Sequence, residues 1–129
     1  MPFGPLIKRE RSTTIPHAIV DVETVEASHG VFKPLRAALG VTAFGVNQLE
    51  LAPGAEGFEH DHSKDGQEEV YAIIGGSGTI HVDGVAEEIS AGKFVFLSPD
   101  SKRKMVAGPD GLKWIGIGCQ PGAFQSEQR

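Results

Sequence analysis

From Val41 onward the chain is a succession of short apolar runs cut by glycine, proline and aspartate, and this punctuation constrains the fold more than any other feature. Val41–Leu51 stops at Ala52-Pro53-Gly54, Glu69–Ile74 at Gly75-Gly76-Ser77-Gly78, and Thr79–Val82 at Asp83-Gly84. Val85–Ile89 stops at Ala91-Gly92, Phe94–Leu97 at Ser98-Pro99-Asp100, and Met105–Ala107 at Gly108-Pro109-Asp110-Gly111, before Leu112–Ile117 closes the series. Runs this short, rich in Val, Ile and Phe and bounded by turn residues, read as strands. Asp83-Gly84 lies between two of them, and both residues tolerate the positive φ that a two-residue hairpin turn demands. Many short strands with almost no helix between them predict an all-β sandwich or barrel. The sequence holds no internal repeat, so one barrel is expected rather than a tandem pair.

The residues before Val41 carry less information. Pro2, Pro5 and Pro16 disfavour early helix, and Ile15 to Val25 reads as an extended arm or edge strand. Lys33 to Gly40 is the one helical stretch, centred on residues 34–39, with Pro34 in its first turn and Gly40 closing it. The expected organisation is therefore an N-terminal arm with a short helix over residues 1–40, a barrel over 41–118 and a tail over 119–129. At 129 residues these form one domain. Val70-Tyr71-Ala72-Ile73-Ile74 is apolar at every position, so both faces of that strand need cover, which suggests a homodimer.

Composition narrows the partners. A net charge of −5 disfavours nucleic acid and anionic membrane, which call for a basic face, and Lys102-Arg103-Lys104 is too short to provide one. The single cysteine, Cys119, excludes an internal disulfide, suits a reducing cytoplasm, and is read as a small packed hydrophobe. Neither a signal peptide nor a membrane span is expected.

The chemistry concentrates in Gly54-Ala55-Glu56-Gly57-Phe58-Glu59-His60-Asp61-His62, followed by Glu68-Glu69. Residues two apart on an extended strand share a face, so His60 and His62 present adjacent imidazoles while Glu59 and Asp61 turn away. Two imidazoles and a carboxylate form a facial set that holds a divalent metal and leaves positions open. A glutamate of the next strand is placed to supply the carboxylate.

Gly54, His60, His62, a glutamate and a glycine separated from it by six residues resemble the first signature motif of the cupin superfamily, and Glu68 to Gly78 resembles the strand and turn that follow it. The resemblance covers about Val41 to Gly118. It implies a jelly-roll barrel with a metal site inside one end. The gap after His62 is longer than the family pattern, and Ser63-Lys64-Asp65-Gly66-Gln67 is a polar loop able to absorb the excess. Six residues separate Glu68 from Gly75, and six separate Glu69 from Gly76. The Gly76-Ser77-Gly78 turn fits the family better with Glu69 inward, so the implied ligands are His60, His62 and Glu69.

A second cupin motif is present in altered form. Its Pro, Gly, His and Asn positions carry Ser98, Asp100, Arg103 and Ala107. The family's fourth ligand is thereby replaced by a guanidinium, which has no lone pair to offer a metal. Three readings of Arg103 stand: it binds an anionic group, it pairs with Glu69 in a site without metal, or it faces solvent with its basic neighbours. Tyr71 is a further candidate for the pocket wall. His17, His29 and His81 lack partners at ligand spacing. The resemblance implies a metal-binding cupin, with iron, zinc, manganese or nickel, acting as an oxygenase- or isomerase-type enzyme on a small organic molecule. The alternative is a non-catalytic cupin that holds an anionic small molecule through Arg103.

Overall fold

The structure, a computed structural model, describes residues 16–125. Pro2, Pro5 and Ile15, on which part of the arm reading rests, lie outside the described residues. In order come a 3-10 turn at Val22–Thr24, β1 (Phe32–Pro34), α1 (Arg36–Leu39), β2 (Gly45–Leu51), β3 (Glu68–Val82), β4 (Val85–Ser90), β5 (Phe94–Leu97) and β6 (Arg103–Cys119). The strands pair antiparallel in the order β1-β2-β6-β3-β4, with β5 also on β3.

β3 and β6 are the two long members, and they decide the shape. The first half of β3 pairs with β5, Glu69 opposite Leu97, while its second half pairs with β4, Ser77 opposite Ser90. β6 runs along the other edge of β3 for the whole length, with register shifts between Ile73 and Gly75 and between Gly76 and Gly78. Such bulges bend a strand and raise its twist, and here they roll the sheet into a jelly-roll barrel. Gly76 has φ +73°, and a Cβ on it would collide with the Gly111 carbonyl, so the bend requires glycine. Inward-facing residues fill the interior: Ile80, Leu97 and Leu112 are each 2% exposed or less, beside Ile73, Met105 and Trp114. Complete burial of an aliphatic side chain is worth about 1.5–3 kcal/mol.

The all-β jelly roll matches the sequence reading, with four differences in its parts. Gly75–Gly78 and Gly108–Gly111 do not end strands; they lie within β3 and β6, because a bulge tolerates the same residues as a turn. The described part of the expected arm is not a strand: Asp21 Oδ1 accepts the Glu23 N–H and starts a 3-10 turn. Pro34 ends β1 instead of opening the helix, which spans Arg36–Leu39 and is closed by Gly40 at φ +77°. The sheet also begins earlier than residue 41, since Phe32 pairs with Leu49, and it ends at Cys119. The Asp83-Gly84 turn has φ of +49° and +85°, both positive as the hairpin requires. Among the described residues no helix is long and apolar enough to cross a membrane.

Candidate metal centre

The segment carrying the two histidines is held by isolated bridges rather than a continuous ladder. Glu56 bridges Val106 and His60 bridges Arg103, the latter through reciprocal bonds of 3.0 and 2.9 Å. The His62 N–H donates to the Pro99 carbonyl at 2.8 Å. The backbone is thus extended without forming a strand, and the spacing of two still brings both rings to one place. Their centroids are 5.5 Å apart with planes at 79°.

Glu69 enters from the start of β3. It pairs with Leu97 on one side and Gly118 on the other, with its side chain 12% exposed. Its Oε1 lies 3.4 Å from His62 Nε2. His60, His62 and Glu69 each offer a ligand atom, all within 4.8 Å of one another, close enough to share one ion. His60 is exposed and the other two are half-buried, so the group opens at the barrel mouth. A metal ligand set of this kind, two neutral imidazoles and a carboxylate, suits iron, zinc, manganese or nickel.

The extra loop after His62 has a task that its composition did not reveal. His62 Nδ1 lies 3.0 and 3.1 Å from the two carboxylate oxygens of Asp65. An Nδ1–H donated to Asp65 leaves the Nε2 lone pair facing Glu69, the arrangement in which histidines bind metals. Asp65 is fixed in turn, accepting the Gln67 N–H at 3.2 Å while its carbonyl accepts from Gln120 Nε2 at 2.6 Å. The hydrogen bond from His62 is the largest reason that the Asp65 carboxyl titrates below its ordinary range. Gly66, at φ +69°, closes the loop, its N–H donating to the His62 carbonyl at 2.7 Å. An aspartate three residues after a histidine, followed by glycine, was the available signal.

Arg103 is 0% exposed. Nη2 donates to Glu69 Oε1 at 3.2 Å and Nη1 to the Ser101 carbonyl at 2.6 Å. Of the three sequence readings, the solvent-facing one is overturned: its place in β6 turns it inward while Lys102 is exposed. Tyr71 is 4% exposed and lies beside this pair. Burial above all, and then the Glu69 charge, push its hydroxyl well above the usual phenol range, with Arg103 opposing. Room for both side chains comes from β6, where Gly116 faces Tyr71 and Gly118 faces Glu69. A Cβ on Gly118 would sit 3.3 Å from Glu69 Cγ and 2.8 Å from Gln67 Oε1.

Beneath the mouth is a cavity of about 260 Å³. Its walls include Leu49, Leu51, Tyr71, Met105 and Trp114, with Arg103 and His60 at the metal side and Ser28, His29 and Phe58 at the opening. Tyr71 and Trp114 rings stand 5.9 Å apart. His29, which has no sequence partner at ligand spacing, reaches the rim through a turn in which it adopts φ +56°. His17 is exposed and His81 half-buried, and neither belongs to the ligand group. Trp114 and Met105 carried no chemical signature in the sequence.

No protein-family model matches the chain. Among curated proteins, dimethylsulfoniopropionate lyase DddW of Ruegeria pomeroyi is 35% identical over 81 residues, which cover 63% of this chain. The match spans 47% of that protein, about half its length. Solved structures match more completely. A cupin protein of Bacteroides fragilis superposes with a TM-score of 0.70 and 27% identity, over 85% of this chain and 93% of its own. A cupin 2 conserved barrel domain protein of Salinispora arenicola gives a TM-score of 0.65 and 19% identity, over 84% and 92%. With the barrel and the bulged long strands, these likenesses show that the chain has the cupin fold.

Proposed function

We propose that this cupin binds one divalent metal through His60, His62 and Glu69 and acts as a metal-dependent enzyme on a small organic molecule taken into the adjoining cavity. The observation that carries the reading is the convergence of three ligand atoms within 4.8 Å, beside a largely apolar chamber of about 260 Å³. That volume lies just below the ~300–1,000 Å³ of pockets that take drug-sized ligands, so a small metabolite suits it. A bound metal would act as a Lewis acid on a substrate oxygen or on water. The chain's own residues do the rest. Asp65 holds the His62 tautomer, Arg103 holds Glu69, and the apolar walls exclude solvent. Oxygenase and isomerase chemistry both fit an open facial site, and the partial likeness to dimethylsulfoniopropionate lyase adds lyase chemistry and makes dimethylsulfoniopropionate the first substrate to try.

A second reading is favoured by one observation, the ion pair of Arg103 with the same carboxylate oxygen that faces His62. In that reading the protein is a non-catalytic binder of an anionic small molecule, with metal absent or structural. The two separate on metal content. Protein purified without added metal, and then reconstituted with Fe²⁺, Mn²⁺, Zn²⁺ or Ni²⁺, should hold close to one ion per chain by elemental analysis, and His60→Ala with His62→Ala should abolish it. No retention and no uptake of any of the four ions would end the enzyme reading.

We also infer a homodimer formed through the outer face of β5, β3 and β6. There Phe94 and Phe96 are 75% and 63% exposed, beside Val70 and Ile117 in register. A cytoplasmic location accords with the single cysteine.

A further inference from the structure

The cavity wall is divided by polarity in a way that metal binding does not require. Its polar side chains stand at the two ends, His60 and Arg103 beside the candidate metal site and Ser28 and His29 at the opening. Glu56 also lines the cavity, but its carboxylate is exposed and tied to Lys104 Nζ at 2.7 Å. Between the ends the wall is Val31, Leu49, Leu51, Met105 and Trp114. Trp114 Nε1 is buried without a partner and closed off from the chamber, so the indole offers it only carbon. A polar atom brought against this wall loses its water and finds no hydrogen bond to replace it. A hydrocarbon surface gains by the same transfer.

We propose that the cavity takes a neutral, one-ring aromatic body carrying a short polar head, with the head towards His60 and the ring on Leu49, Leu51, Met105 and Trp114. The size suits it: an engineered apolar cavity of about 150 Å³ stays dry and takes benzene, and the cavity of about 260 Å³ here has room for a ring and a short side chain. The Tyr71 and Trp114 rings, 5.9 Å apart, and the Met105 thioether stand in the same wall. Ring–ring and sulfur–ring contacts add to burial alone, which favours an aromatic ring over a saturated one of the same size. A sugar or a nucleotide carries polar groups around its whole outline and meets nothing on this wall to bond them. The inference rests on the cavity being the ligand chamber of the function proposed above, and it does not require that metal be bound.

The experiment titrates the protein, metal-free and Zn²⁺-loaded, with benzyl alcohol, cyclohexylmethanol, 4-pyridinemethanol and dimethylsulfoniopropionate. Calorimetry at several temperatures follows binding, at a pH that keeps the pyridine neutral. Benzyl alcohol should bind saturably in both forms with a negative heat-capacity change, the mark of apolar burial. It should bind at least tenfold more tightly than 4-pyridinemethanol, which differs by one ring nitrogen, and more tightly than cyclohexylmethanol. Leu49 is only half-buried, so its replacement spares the core. Leu49→Gln should weaken benzyl alcohol at least tenfold and narrow its lead over 4-pyridinemethanol, with Zn²⁺ affinity unchanged. Should that variant fail to fold, Leu49→Phe fills the chamber instead and should abolish binding. No saturable binding of benzyl alcohol, equal binding of the pyridine, tighter binding of cyclohexylmethanol or dimethylsulfoniopropionate, or full affinity in a folded Leu49 variant overturns the inference. Zn²⁺ uptake measured separately keeps the two proposals apart. Ring binding without metal uptake sinks only the metal reading, and metal uptake without ring binding sinks only this one.

Discussion

Arg103→Met removes the guanidinium and keeps much of its volume, so it isolates the charge that faces Glu69. Breaking a buried pair by deleting one partner costs about 3–5 kcal/mol, because the remaining charge is left uncompensated. Glu69 is 12% exposed and has His62 Nε2 at 3.4 Å, so it can be partly rescued, and the lower end, about 3 kcal/mol, is expected for metal-free protein. In urea, with a slope of about 1–3 kcal/mol per molar, that moves the midpoint down by about 1–3 M. Metal reverses the sign of the problem. A cation bound to Glu69 compensates the carboxylate, and the variant no longer carries a like charge beside the ion, a repulsion of several kcal/mol at ~4 Å and an effective dielectric near 20. The variant should therefore bind Zn²⁺ at least tenfold more tightly than the parent and gain more stability from it; a hundredfold excess over Kd contributes about 2.7 kcal/mol to any folded state that binds it. The assay is urea unfolding by circular dichroism with and without Zn²⁺, with affinity from calorimetry. Equal metal-induced stabilisation of parent and variant would refute the idea that Arg103 and the metal share Glu69.

Asp65→Ala should lower metal affinity about 10–100-fold by freeing the His62 ring, as loss of outer-shell carboxylates does elsewhere, with little change in unfolding midpoint since Asp65 lies at the surface. Gly118→Ala should weaken metal binding several-fold, because its Cβ presses on Glu69 Cγ and Gln67, whereas Gly116→Ala, at 3.5 Å from the Tyr71 ring, should leave it unchanged by the same calorimetry. In metal-free protein the single tyrosine should show no phenolate absorbance at 295 nm as pH rises past its ordinary value of 10.0 until the chain unfolds. The raised folded value means the folded state holds the proton more tightly, so this contribution to stability is complete below pH 10 and is lost above it. Phe94→Lys with Phe96→Glu should convert a dimer into a monomer in sedimentation velocity; a parent that is monomeric at all concentrations removes the dimer reading.

The strands were legible because each is bounded by residues whose backbone preferences are local. What the local signal could not tell was whether a glycine cluster ends a strand or bends it. Gly76 and Gly78 satisfy either, and only the opposing strand, with Gly111 and Val106 pressing against them, makes them bulges. The histidine pair was legible for the same reason that strands are: a spacing of two needs only an extended backbone, and isolated bridges provide it as well as a ladder does. Choosing Glu69 over Glu68 depended on the register of the following turn. The rest of the site was out of reach, since Asp65 looks like any loop aspartate, and Trp114, Leu49 and Met105 look like any core residues until the barrel closes them around one cavity.

Arg103 shows why the fold and the site cannot be separated here. Its backbone exchanges two hydrogen bonds with His60, which fixes where that ring stands, and its side chain reaches Glu69, which fixes the carboxylate. One residue on β6 therefore positions candidate ligands from two separate segments of the chain. A histidine at this place would add a fourth donor and fill a position that the present set leaves open. With arginine, a metal bound by His60, His62 and Glu69 would have three protein ligands, and the guanidinium fixed beside Glu69 would favour an anionic partner for it. Arg103→His tests this directly. It keeps the backbone bridge to His60, should supply a fourth nitrogen and tighten metal binding, and should weaken the binding of an anionic ligand by removing the guanidinium donor. Tighter metal with unchanged anion affinity would leave Arg103 as a support for Glu69 alone. A variant indistinguishable from the parent in both would remove Arg103 from the site altogether.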